Sequence, residues 1–126
     1  NDPGRVPILE AILEGIESSK TDRIITTVVS KVEVTWAAHE KLNRVLKLEE
    51  EARIDAMWSN SDVVEMVDFN DDIALAARKL MRVGMERGWK LRTNDAIHLA
   101  SAQWAGLLNF KHMIKVICRN LAICKV

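Results

Sequence analysis

"IITTVVSKVEV", residues 24–34, decides how this chain is read. Ile24 to Val29 are six β-branched residues in a row. Branching at Cβ stiffens χ1 and suits a pleated strand, and an unbroken apolar run suits a strand covered on both faces. Ser30 then changes the pattern. A serine followed three residues later by Glu33 is the signature of a helix start, with the hydroxyl and the carboxylate satisfying free backbone N–H groups. The stretch therefore predicts a buried strand that runs straight into a helix.

The same alternation spreads outward. Upstream, "VPILEAILEGIESS" sets Ile8, Leu9, Ile12, Leu13 and Ile16 at helical spacing. Downstream, "SKVEVTWAAHEKLNRVL" predicts a helix from Ser30, and "KLEEEARIDAMWSN" continues the helical pattern to Asn60. "SDVVEMVDF" predicts a second short strand. Asn70 caps "DDIALAARKLMRVGMERG", with acids in its first turn and an end at Gly84 or Gly88. A last helix starts near Thr93 or Asn94 within "WKLRTNDAIHLASAQWAG". Strands alternating with helices imply an α/β fold with a parallel sheet flanked by helices. Two strands are few for such a sheet, so further strands are expected before Asn1 and in the tail, with "HMIKVICR" as an edge strand.

Bulk properties narrow the function. The chain has 126 residues, 48% hydrophobic and 29% charged, with no net charge. This suits one globular domain. A net charge of zero excludes a wide electrostatic footprint for nucleic acid but not a nuclease, whose metal site is itself acidic. No apolar run approaches a membrane span and no signal peptide is visible, so the cytoplasm is the expected compartment. His39, His98 and His112 lack zinc spacing. Trp36, Trp58, Trp89 and Trp104 are expected in the core or an interface, and "KLEEEAR" is a solvated helix face.

Two carboxylates stand out. Glu33 follows the first strand and Asp95 opens the last helix. In an open parallel sheet, strand ends and helix starts gather at one edge, where ligands bind. Two acids there suit Mg²⁺ or Mn²⁺, which prefer oxygen ligands. Each acid also has a plain structural use, Glu33 in a capping box and Asp95 against the helix dipole.

"IITTVVSKVEV" and "LRTNDAIHLASAQ" together resemble the PIN-domain ribonucleases typified by VapC-type toxins of toxin–antitoxin pairs. The resemblance covers residues 1–106 of a single PIN-like domain, leaving 107–126 as an aberrant tail. It implies a three-layer fold, incomplete at both ends. It implies a metal-dependent endoribonuclease that hydrolyses RNA phosphodiesters. Glu33 and Asp95 are its catalytic and metal-binding acids, with Mg²⁺ or Mn²⁺ as cofactor, and their carboxylates face one cleft. Thr93 and Asn94 flank the site and bind substrate. The partners implied are the RNA substrate and a cognate antitoxin. Apolar faces on "ILEAILEGI" and on the helical arm after Glu33 imply a homodimer and a groove for an apolar antitoxin segment. The family's first acid is expected upstream of Asn1, and its fourth shortly after Asp95.

After Asp95, however, this chain has no acidic residue at all. From Lys111 to Val126 it has four basic residues and both cysteines, Cys118 and Cys124. The genetic code explains this. When Leu108 to Leu121 are read from the third base of each codon, Lys111 into His112 gives Thr or Ala, and His112 into Met113 gives Tyr or His. Met113 into Ile114 gives GAT, which is Asp. The whole run is compatible with Glu-Phe-Gln-Thr-Tyr-Asp-Lys-Ser-x-Leu-Pro-Lys-Phe, the family segment that carries the fourth acid. The tail thus reads as a frameshift between about Trp104 and Leu108. The expected consequence is impaired cleavage. The alternatives are an inert remnant that keeps the antitoxin and dimer surface, or an unrelated helical domain with two well-capped helices.

Overall fold

A computed structural model describes residues 4–107. Within that range the order is α1 (Val6–Ser18), β1 (Ile24–Thr27), α2 (Ser30–Glu33), α3 (Ala38–Asn43), α4 (Leu48–Ser59), β2 (Val64–Val67), α5 (Asp71–Glu86) and α6 (Thr93–Trp104). The two strands pair in one sheet. The Ile24 N–H donates to the Val63 carbonyl (2.7 Å) and the Val28 N–H to the Val67 carbonyl (3.1 Å). Four residues forward on one strand matches four forward on the other, so the pair is parallel, and the intervening helices form the crossover that parallel pairing requires. The α/β architecture expected from the sequence is borne out. The edge strand expected in the tail, with His112, Cys118 and Cys124, lies outside the described residues. Among the described residues no helix is long and apolar enough to cross a membrane.

The described residues fall into two compact units. The first comprises the chain up to Ile25 together with Lys31–Glu65. The second comprises Thr26–Ser30 together with Met66 onward.

The second unit holds the main core: Ile73, Ala77, Leu80, Trp89, Leu91, Ala96 and Ala100. Asn70 caps α5 as expected, its side chain accepting the Ile73 N–H at 2.9 Å. Ile73, Ala77, Leu80 and Gly84 then recur at steps of four, three and four, which keeps one stripe of α5 buried. Against it packs α6, whose buried residues Ala96, Ala100 and Ser101 are all small. Small side chains let two helices approach closely. The turn between them is closed tightly. The Gly88 N–H donates to the Met85 carbonyl (3.2 Å) and the Trp89 N–H to the Gly84 carbonyl (2.7 Å). Gly88 sits at φ +70°, the left-handed conformation that this ending demands and glycine adopts freely. The Trp89 ring lies over Gly84, where an added Cβ would stand 3.5 Å from it.

The first unit departs from the sequence reading in one respect. The helix expected to run unbroken from Ser30 is split into α2, α3 and α4. Arg44, at φ 54°, ends α3, and extended residues at Ala37 and Lys47 precede α3 and α4. Glu40 holds this broken path together. Its carboxylate accepts the Ala37 N–H (2.7 Å) and the Lys47 N–H (2.7 Å), and the residue is buried. Ala37 has no side-chain acceptor, so Glu40 supplies the only side-chain half of the cap. No residue of α1 is buried; Ile8, Leu9, Ile12 and Leu13 are all exposed.

Two tests follow from these turns. Gly88→Ala meets no neighbouring atom, so its cost is backbone strain alone, about 1–2 kcal/mol, seen as a lower urea midpoint with an unchanged slope. The second concerns acid. The Lys47 N–H, then the Ala37 N–H, hold the Glu40 carboxyl below its ordinary value of 4.5, against the opposing effect of burial. A lowered folded pKa means stability that is present above the unfolded value and lost as pH falls through the folded one. Glu40→Gln should therefore lower Tm most above pH 5, and the gap to the parent should narrow steadily below pH 4.5.

Candidate active site

Asp95 stands in the first turn of α6, half-buried, in the second unit. No side chain caps this helix; the residue before it, Arg92, is extended, and its carbonyl accepts the Ala96 N–H at 3.0 Å. A carboxylate placed here faces the positive end of the helix dipole. Thr93 and Asn94 share the same turn and are exposed. Asp95 and the two residues expected beside it are thus brought together by α6 itself.

Glu33 is the last residue of α2, exposed, in the first unit. The hydroxyl of Ser30, at the start of α2, is committed to Thr26 at 2.6 Å, tying the end of β1 to the turn that follows. Thr27 is fully buried, and its Oγ1 accepts the Val29 N–H at 3.4 Å. The strand end is therefore fixed by hydroxyl groups, a detail that strand propensity alone does not reveal.

The donors fit a hard divalent cation in kind, because carboxylate oxygens suit Mg²⁺ and one or two are enough when waters complete the shell. In number they are sparse. Among the described residues no group of three or more His, Cys, Asp or Glu side chains gathers. Two cavities occur. One, of about 420 Å³, lies in the first unit and is lined by Lys31, Thr35, Glu51, Asp55 and Trp58 among others. The other, of about 360 Å³, lies between Asp72 on α5 and Gln103 and Trp104 on α6. Neither is lined by Glu33 or Asp95.

The PIN domain family model matches residues 4–115, most of the chain. The chain belongs to the PIN domain family. No curated protein and no solved structure gives a significant match. PIN domains have a nuclease-type fold, and divalent metals typically serve them. In this PIN domain the sequence pointed to acids but passed over cations. Arg78, Lys79, Arg82, Arg87, Lys90 and Arg92 are all exposed in the second unit. Only Glu86 offsets them between positions 78 and 92. The local run of charge was visible in the sequence; summing charge over the whole chain concealed it.

The hydroxyl pair gives a structural test of this region. Ser30→Ala removes the partner of a part-buried Thr26 hydroxyl and should cost about 1 kcal/mol. The double variant with Thr26→Val should recover part of that loss in a denaturant titration.

Proposed function

We propose that this PIN domain is a Mg²⁺- or Mn²⁺-dependent endoribonuclease of the VapC toxin type, acting in the cytoplasm on RNA. What carries the reading is the family match combined with an acid, Asp95, set in an uncapped first helical turn beside exposed Thr93 and Asn94. Asp95 and Glu33 are the residues that would hold the metal, as ionised carboxylate ligands. The metal, when bound, supplies charge stabilisation to a phosphodiester under attack by water. Thr93 and Asn94 have hydroxyl and amide groups suited to phosphate oxygens and would orient the scissile linkage.

Cleavage by this chain is slow in this reading, because no acid follows Asp95. The test uses the purified chain and an unstructured RNA. Weak cleavage that requires Mg²⁺, stops with EDTA and falls on the order of 100-fold in Asp95→Asn is the expected result. Restoring the alternative frame from about Leu108 should raise the rate. Cleavage that survives both EDTA and Asp95→Asn would defeat the assignment.

A second reading rests on α1, whose thirteen residues include none that is buried. An apolar helix so exposed favours a protein partner: a second copy and the apolar segment of an antitoxin, laid in a groove. Such a chain could keep its partners while cleaving poorly. Sedimentation should show a dimer, and Ile8→Glu with Ile12→Glu should shift it to a monomer; a monomeric parent removes this reading.

A further inference from the structure

We propose that the turn entering α6 is a phosphate track, with Lys90 and Arg92 at its centre, that carries the backbone of single-stranded RNA toward Asp95. The proposal rests on the nuclease reading for the identity of the polyanion and on the geometry of the second unit for the rest.

Between Arg78 and Arg92 there are six basic residues and one acid, in a chain of zero net charge. All six are exposed, and among the described residues none forms an ion pair. The turn holds its basic residues in place. Gly88 and the two closing hydrogen bonds fix the reversal after α5. Burial then alternates: Trp89 inward, Lys90 outward, Leu91 inward, Arg92 outward. Two buried anchors thus leave Lys90 and Arg92 exposed to solvent. Arg92 is extended, and two residues of extended chain span at most roughly 6.6 Å, on the scale of the step between successive phosphates on a stretched single strand. The Arg87 guanidinium sits 5.4 Å from the Trp89 ring centroid, stacked on the same anchor. Cations held this way lose less side-chain freedom on binding than cations on a loose loop.

The direction of the track also has a chemical reason. Arg92 immediately precedes α6, and Asp95 lies in its first turn. An acidic nuclease site repels the polyanion it must cut. Positive charge within a few residues offsets that repulsion, whereas charge farther than about 8 Å is largely screened at physiological salt. The arginine fork also suits bidentate contact with phosphate oxygens.

The experiment measures binding without cleavage. A fluorescein-labelled, unstructured RNA oligonucleotide is titrated with the purified chain in EDTA, and its anisotropy is followed across a series of salt concentrations. Each phosphate contact contributes roughly 0.7 to the slope of log K against log salt for a single strand. Lys90→Ala with Arg92→Ala should therefore flatten the slope by roughly 1.4. Lys90→Arg with Arg92→Lys should leave it near the parent value. Lys20→Ala with Arg23→Ala, which removes two exposed cations from the first unit, should not change it. Circular dichroism and Tm confirm that each variant folds.

An unchanged slope in the Lys90/Arg92 variant overturns the track, as does an equal loss in the Lys20/Arg23 variant. So does a parent chain that fails to bind RNA, or one that binds an acidic peptide of matched charge in its place. The nuclease reading fails separately. If the slope flattens as expected but no metal-dependent cleavage is found, the track stands and the catalytic assignment falls. If Asp95→Asn abolishes cleavage while the slope ignores Lys90 and Arg92, the reverse holds.

Discussion

The Trp89 ring on Gly84 is the contact on which the second unit depends. The ring lies within van der Waals reach of position 84, where an added Cβ would stand 3.5 Å from it, and the Gly84 carbonyl also receives the Trp89 N–H. Ring and backbone therefore fix the same turn twice. Once the turn is fixed, Leu91 is carried into the core and α6 begins at Thr93. The register of α6 against α5 follows, with Ala96 and Ala100 brought down onto the buried stripe of α5. Burying Trp89 and Leu91 contributes roughly 1.5–3 kcal/mol each, a large share of a domain's net stability. Asp95, in the first turn of α6, inherits its position from this chain of constraints.

The first unit is held by other means. Among its described residues the buried ones are Val64 and a charged one, Glu40, with no apolar cluster like that of the second unit. Glu40 bridges Ala37 and Lys47 through two backbone bonds, and that bridge sets the path of the chain from α3 into α4. Glu50 adds a looser link, 3.4 Å from Arg53 and 3.8 Å from His39. Such exposed pairs contribute little. A unit with few buried apolar groups opens locally at lower free energy than one with a packed core. The two units of this PIN domain should thus differ in hydrogen-exchange protection, α5 and α6 being slowest.

Most of the elements were legible in the sequence because each has a local cause. The β-branched run from Ile24 marks β1, although the strand ends at Thr27, with Val28 and Val29 forming the turn into α2, and Asn70 and Gly88 mark the two ends of α5. The break between α2 and α4 was not legible, because apolar spacing continues at helical period through it. What interrupts the helix is Arg44 in a left-handed conformation and a carboxylate that bonds seven residues ahead. Neither leaves a mark in periodicity. Asp95, Thr93 and Asn94 were legible as one turn, since three consecutive residues at a helix start need no tertiary information. The basic side chains were legible as residues but not as a feature. Only alternating burial from Trp89 to Arg92 shows that Lys90 and Arg92 are held exposed between buried neighbours.

That last point bears on how charge should be read in such proteins. A sum over 126 residues weighs Lys20 and Lys90 alike, although salt screens charges farther apart than about 8 Å. What a polyanion meets on approach is the local field, and over positions 78–92 that field is set by six cations against one acid. The acids that lower the sum to zero lie elsewhere, many of them on α4 and at the start of α5. Neutrality of the whole chain is thus compatible with a strongly positive turn beside a carboxylate. For a nuclease the combination is chemically sensible, because the same substrate must be attracted by its phosphates and cut at an acidic centre. Separating the two charges along one short segment, with buried Trp89 and Leu91 keeping Lys90 and Arg92 outward, lets each act without neutralising the other.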